Sequence, residues 1–372
     1  MKLTGAELIH ARLPLVAPFE TSFGAQNERD VLLVRVELDG QEGWGECGAL
    51  PDPVYSQEYI EAAALTIRRF FVPALAAADQ LTAPRVATTL SRFIGHRMAK
   101  TALELAVLDA ELRAAGMSAA DYLGAVRDSV PTGVSVGIHP SIPALLEAVE
   151  RYLVQGYMRI KLKIKPGWDI EPVRAVRERF GDIPLQVDAN TAYDLADARH
   201  LARLDDFDLL MIEQPLGEED LTEHAELARL VRTPICLDES VTSAKGAADA
   251  VRIGACSVVN IKAGRVGGYL EARAVHDVCA ANGVPVWCGG MLETGIGRAA
   301  NVALAALPGF TITGDTSASD RYYARDIITE PFVLQDGHVP VPCGPGLGVT
   351  VDTDALRRFT VEREDLHVFA IG

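Results

Sequence analysis

No run in this sequence approaches the roughly 18 consecutive apolar residues that a membrane-spanning helix needs. The segment from Met1 to Glu20 carries Glu7 and His10 and so lacks the uninterrupted apolar core of a secretory signal; a cytoplasmic protein is expected. Cysteine is scarce. Its six positions (Cys47, Cys236, Cys256, Cys279, Cys288 and Cys343) contain no Cys-x-x-Cys pair and no tight His/Cys cluster. That argues against a disulfide framework and a structural zinc site, and leaves buried free thiols as the expected state. Blocks of basic residues are missing too. The 35 Lys and Arg face 51 Asp and Glu, a formal charge of −16 with the acids dispersed, so neither nucleic acid nor an anionic membrane surface is an expected partner.

What is present is ordinary globular material. With 49% apolar and 23% charged residues over 372 positions, the chain can bury a large core or two domains. The first part reads as mixed α and β: an apolar stretch from Ala6 to Leu15, a polar segment from Phe19 to Gln26, and a β-patterned run from Val31 to Leu38. Gly43-Trp44-Gly45-Glu46 reads as the opening of a Gly- and Pro-rich loop lasting to about Tyr55, and helical segments follow to about Ala115. From about Val134 the texture changes to short apolar runs alternating with amphipathic segments, the pattern of parallel strands joined by crossover helices.

Eight strand candidates result: Val134 to Ile138, Arg159 to Ile164, Leu185 to Asn190, Leu209 to Gln214, Pro234 to Glu239, Ser257 to Ala263, Pro285 to Gly289 and Phe310 to Asp315. Eight such units specify an α/β fold of the TIM-like (β/α) barrel type more readily than an open doubly wound sheet. The expected organisation is an N-terminal α+β domain over 1–125, a barrel over 126–325, and a Pro-rich tail over 326–372 that folds back on the first domain.

Charged residues should be rare inside parallel strands buried on both faces. Here they recur in phase. Lys163, Asp188, Glu213, Asp238 and Lys262 are 25, 25, 25 and 24 residues apart, each near the C-terminal end of a successive strand candidate. One βα unit returns the chain to a similar height, so the five should form an arc at the C-terminal mouth, where such barrels keep their active sites. A neighbouring countercharge could satisfy one or two of them, but five flanked by Val, Ile and Leu would cost too much desolvation to serve stability alone.

Converging carboxylates must share protons or bind a cation. An all-oxygen set of Asp188, Glu213 and Asp238, with room left for water and substrate, suits Mg²⁺, with Mn²⁺ as a substitute. The second and sixth strands of an eight-stranded barrel are opposed, so Lys163 and Lys262 should face each other across the mouth. A small-molecule carboxylate substrate held by the metal would then present its α-carbon between two amines. Lys161, two residues before Lys163 and on the same face, adds a second cation that should ease deprotonation of Lys163 and stabilise an enediolate. Asn190, in phase with Asp188, is a candidate substrate contact. Glu239 should alternate away from Asp238 and is not expected to be a ligand, and Lys165 before Pro166-Gly167 should be a solvated loop lysine. Further copies of the chain, in a homo-oligomer, are the other expected partner.

Lys161-Leu162-Lys163, Val187-Asp188-Ala189-Asn190, Ile212-Glu213-Gln214-Pro215, Leu237-Asp238-Glu239-Ser240 and Asn260-Ile261-Lys262 resemble the muconate lactonizing enzyme subgroup of the enolase superfamily. Gly264 to Gly268, Trp287 to Gly295 and Gly314-Asp315-Thr316-Ser317 look like its o-succinylbenzoate synthase and N-succinylamino acid racemase family. The resemblance covers nearly the whole chain. It implies a capping α+β domain built from both termini, whose loops would carry Phe19, Phe23 and Tyr55 to an apolar pocket shared with Met291. It also implies two reactions with one first step, α-proton abstraction: dehydration to o-succinylbenzoate in menaquinone synthesis, and racemisation of N-acylamino acids. A dipeptide epimerase is the rival within the subgroup, but that family uses an acidic pair at the eighth strand, where this chain has only Asp315. A barrel that binds a ligand without turnover would have no use for two amines aimed at one carbon.

Overall fold

The computed structural model describes residues 1–22, 24–366 and 368. Three antiparallel strands open the chain: β1 (Leu3–Thr21), β2 (Gly24–Leu38) and β3 (Gln41–Cys47). β1 and β2 form one long hairpin, and its pairing resumes near the tip, where Phe19 faces Gln26 and Thr21 faces Gly24. Within the polar segment, residues 19–21 and 24–26 are thus extensions of the two strands. On the other edge of β1 the C-terminal strand Thr360–Leu366 pairs antiparallel, so the tail does return to the first sheet.

This sheet lies on the helix α1 (Arg97–Ala115), whose inward positions are largely Ala and Leu. Gly43 and Gly45 read as loop punctuation in the sequence, yet both lie in β3. A Cβ at either would collide with the α1 backbone at Ala106 or Ala102. These glycines serve close sheet-to-helix packing, and the irregular segment begins only after Cys47.

Seven parallel strands in sequence order make the second sheet: β4 (Val134–Val136), β5 (Ile160–Lys163), β6 (Leu185–Asp188), β7 (Ile212–Glu213), β8 (Ile235–Leu237), β9 (Val258–Ile261) and β10 (Val286–Cys288). The eighth candidate, Phe310 to Asp315, forms no regular strand. It closes the curled sheet by isolated bridges, Phe310 to Val286 on one side and Gly314 to Thr132 on the other. Backbone bonds from Asp315 N to Cys288 O at 2.9 Å and from Gly133 N to Gly314 O at 2.8 Å complete the seam. A Cβ at Gly314 would stand 2.8 Å from the Cys288 carbonyl oxygen, so this approach needs glycine. Below the mouth the interior is filled by Met211, Cys236, Val258 and Trp287. No described helix is long and apolar enough to cross a membrane.

Candidate active site

Register sets the height of each charged side chain. Lys163 pairs with Asp188, and Asp188 with Glu213, so these three stand on one rung of β5, β6 and β7. Glu213 pairs with Cys236, however, which puts Asp238 two residues higher and beyond the end of β8. The stagger of a closed sheet turns the expected level arc into a rising one. Lys262 likewise follows the last residue of β9.

The charged side chains of the site are buried and held in pairs. Lys163 Nζ donates to Asp188 Oδ2 and to Asn190 Oδ1, each at 2.6 Å. Lys161 Nζ lies 3.2 Å from Asp188 Oδ2, 3.2 Å from Glu213 Oε2 and 2.7 Å from Asp315 Oδ2. Burial alone would pull the Lys161 ammonium down, but Asp315, Glu213 and Asp188 outweigh it and hold the group above the ordinary lysine range. Lys262 Nζ donates to Asp238 Oδ2 at 2.6 Å and to the Tyr55 hydroxyl at 2.9 Å. Against the same opposing burial, Asp238 and its neighbours push Lys262 well up. Asp188 is held low because Lys163 and Lys161 overcome its burial.

Backbone strain collects here. Asn190 and Gln214, next to their strand ends, have φ of 42° and 37°, the left-handed region that non-glycine residues rarely visit. The bend brings Asn190 back under Asp188, whose Oδ1 accepts from the Asn190 N–H at 3.0 Å. It also lets Gln214 Oε1 accept from the backbone N–H of Asp238 and Ser240 at 3.0 and 3.2 Å.

The described residues contain no three His, Cys, Asp or Glu side chains closed into a metal cage on their own. Each carboxylate is drawn instead onto an ammonium or amide. Two features nevertheless fit a divalent cation. Asp238 Oδ1 is buried without a hydrogen-bond partner. Glu213 is pushed up to about 8 by burial and by the Asp188 carboxylate beside it, a crowding of negative charge that a hard cation would relieve.

The cavity above these groups encloses about 530 Å³, part of it continuous with solvent. Lys161, Lys163, Lys262 and Asn190 form its polar wall; Phe19, Leu50, Tyr55, Met291 and Tyr322 form much of its apolar one. Phe19 arrives on the β1–β2 hairpin and meets Tyr322 edge-on at 6.2 Å. Tyr55 does more than line the cavity: its hydroxyl also donates to Asp238 Oδ2 at 3.2 Å, and its ring lies 4.7 Å under Lys262 Nζ. Phe23 lies outside the described residues.

One expectation needs correction, and two residues join the site. Glu239 does not follow strand alternation away from Asp238: β8 ends at Leu237, and the buried Glu239 Oε1 accepts from Asn190 Nδ2 at 3.0 Å. Burial and Asp238 push its carboxyl up to about 7. Asp315 and Asn260, named above only as parts of motifs, belong to the site as well. Asp315 ties Lys161 to Arg159, whose Nη2 lies 2.7 Å from Asp315 Oδ1, and Asn260 Nδ2 donates to Glu213 Oε1 at 2.7 Å. Asn260 sits two residues before Lys262, as Lys161 does before Lys163, so the same period-2 argument could have found it. Lys165 is partly exposed, 3.4 Å from Glu20, as a loop lysine should be.

A barrel mouth with two lysines, an arc of buried carboxylates and an α+β cap defines the chain as an enzyme of the enolase type. Residues 144–355 match the family model for the enolase C-terminal domain-like fold, and 4–124 match that for the N-terminal domain of mandelate racemase and muconate lactonizing enzyme. The N-succinylamino acid racemase of an Amycolatopsis species is 64% identical over 98% of this chain and 99% of its own length. The o-succinylbenzoate synthase of Geobacillus kaustophilus is 46% identical over 95% of this chain and 94% of its own. A crystal structure of an enolase superfamily member from Listeria innocua superposes with a TM-score of 0.95 at 42% identity, covering 99% of this chain and all of that one. The chain therefore belongs to the N-succinylamino acid racemase and o-succinylbenzoate synthase family of the enolase superfamily.

Proposed function

We propose that this chain removes the α-proton of a small carboxylate with the help of a divalent cation, Mg²⁺ or in its place Mn²⁺. Its substrates are N-succinylamino acids, which it racemises, and the cyclohexadiene carboxylate that it dehydrates to o-succinylbenzoate. The observation that carries this reading is the pair Lys163 and Lys262: two buried amines, from strands four apart in the sheet, lining one cavity. The names of the relatives at 64% and 46% identity supply the two substrate classes.

Enzymes of this superfamily generally use a divalent metal, and here Asp188, Glu213 and Asp238 would hold it. Bound there, it would draw electron density from the substrate carboxylate and so acidify the α-carbon. Lys163 and Lys262 stand on the two sides of that carbon, one taking the proton and the other returning one to the opposite face. Lys161, fixed by Asp315, keeps its charge and stabilises the enediolate. Asn190 holds Lys163 in place, and Phe19, Tyr55 and Met291 exclude water.

The test sets N-succinyl-L-methionine beside L-Ala-L-Glu, with Mg²⁺ and with excess chelator, and follows epimerisation by chiral chromatography. Fast turnover of the succinyl compound only, abolished by the chelator, is the expected result. A dipeptide processed faster by orders of magnitude would make the chain a dipeptide epimerase, and full activity in chelator would remove the metal from the mechanism.

A further inference from the structure

One corner of the cavity holds polar atoms that this chemistry leaves unused. Ser135 on β4 pairs in register with Lys161 on β5, and it lines the cavity. Its Oγ is buried and has no hydrogen-bond partner. Behind it stands Arg321, only 9% exposed, whose Nη2 donates to the Ser135 carbonyl oxygen at 2.7 Å. Its Nε is buried without a partner. The guanidinium lies 4.7 Å from the Tyr322 ring, 4.8 Å from that of Tyr152 and 5.8 Å from that of Phe19. Among the described residues no carboxylate forms an ion pair with it. Rings soften the cost of burying this cation but do not neutralise it, and a buried charge without a counterion is expensive.

The field of this corner is felt nearby. His139, which follows β4, is held below its ordinary pKa by burial, by Arg151 and by Arg321. Asp315 adds little negative potential against it, because Arg159 and Lys161 take up both of its oxygens.

Barrel geometry says which part of a substrate would arrive here. With the α-carboxylate directed to β6, β7 and β8, and the α-carbon between Lys163 and Lys262, the other substituents extend to the opposite wall. That wall is made by Gly290 and Met291 after β10, by Asp315, and by Ser135 on β4. Met291, Phe19 and Tyr322 suit an apolar side chain. The Ser135 corner suits the end of an arm that carries charge.

We propose that Ser135 and Arg321 form a subsite for an anionic acyl arm, the Ser135 hydroxyl donating to its terminal carboxylate and Arg321 supplying the countercharge from behind. The proposal rests on the racemase reading above and deepens it: it predicts that a succinyl group is preferred to a neutral acyl group of the same size.

The test compares N-succinyl-L-methionine with N-succinamoyl-L-methionine, which has the same shape and no terminal charge, on the wild type and on R321M, R321K and S135A. A charge-assisted contact of this kind corresponds to about 10- to 100-fold in kcat/KM. R321M should lose about that much on the succinyl substrate, mainly through KM, and only a few-fold on the succinamoyl one. R321K should recover part of the preference, and S135A should weaken it in the same direction. Equal losses on both substrates would make the corner a purely structural contact and overturn the proposal. If R321M does not fold, S135A alone decides by the same ratio. A wild type that turns over neither compound would sink the racemase reading. Calorimetric binding of the same pair to the Mg²⁺-loaded protein then judges the subsite by itself: tighter succinyl binding that S135A abolishes supports it, and equal binding overturns it.

Discussion

The two lysines that face the cavity are held by different parts of the molecule. Lys163 is fixed by Asp188 and Asn190, both from the barrel. Lys262 is fixed by Asp238 of the barrel and by Tyr55, which the capping domain brings in on the segment after β3. The Lys163 amine takes both of these partners from the barrel, whereas the Lys262 amine takes one of its two from the cap. The comparison teaches that the cap does more than wall the cavity: it helps to position one of the two amines that face it.

The most severe way to probe this difference is to remove each amine. Lys163→Ala and Lys262→Ala should each lower racemisation by about 10³-fold or more. Each should still exchange the α-proton of one enantiomer in deuterated water, and the two variants should serve opposite enantiomers. NMR showing both variants exchanging both enantiomers near the wild-type rate would rule out a two-base site.

Asp238→Asn is next, with an expected loss of about 10²- to 10³-fold. Asp238 carries the partnerless buried oxygen as well as the bond to Lys262, so the variant should need more Mg²⁺ while its circular dichroism stays native. An unchanged Mg²⁺ requirement would contradict its role as a ligand.

Tyr55→Phe sharpens the contrast between the halves. Losing one hydroxyl that touches both Lys262 and Asp238 should cost about 1–2 kcal/mol, or roughly tenfold. The loss should fall mainly on the proton exchange served by Lys262. Equal slowing of both enantiomers would mean that Tyr55 acts on substrate binding and not on one lysine.

The smallest effect is on stability and concerns how the cap is attached. Glu46 of β3 accepts from Thr294 N, Thr294 Oγ1 and Gly297 N at the start of the barrel helix Gly295–Ala305, at 3.0, 2.6 and 2.9 Å. Burial, helped by Glu293, pushes its carboxyl from 4.5 up to about 7 in spite of these bonds. The folded-state pKa is the higher one, so the contribution of this group is fully present below about 4.5 and is lost as pH rises through about 7. Glu46→Gln should therefore flatten the pH dependence of Tm across that window, and an unchanged slope would exclude Glu46 as its source.

Much of the site was legible along the chain, for a definite reason. The spacing of Lys163, Asp188, Glu213, Asp238 and Lys262 follows the length of one βα unit, and a charged residue inside an apolar strand stands out without any knowledge of contacts. The place of Asp315 beside Lys161 was not legible because its strand is irregular and its other partner, Arg159, is 156 residues away. Gly43 and Gly45 misled for a related reason: a glycine that admits a helix looks the same in sequence as a glycine that turns a loop.

Strand order, the barrel class and the five in-phase charges were thus determined by the sequence alone, because period and spacing are local properties that survive without coordinates. The tertiary structure decided what each charge touches. It raised Asp238 by two residues above Glu213, turned Glu239 inward past the end of β8, and placed Tyr55 on Lys262 and Arg321 behind Ser135. These pairings join residues far apart in the chain. They follow from barrel stagger, from strands that stop short and from the seating of one domain on another, none of which leaves a periodic mark in the sequence.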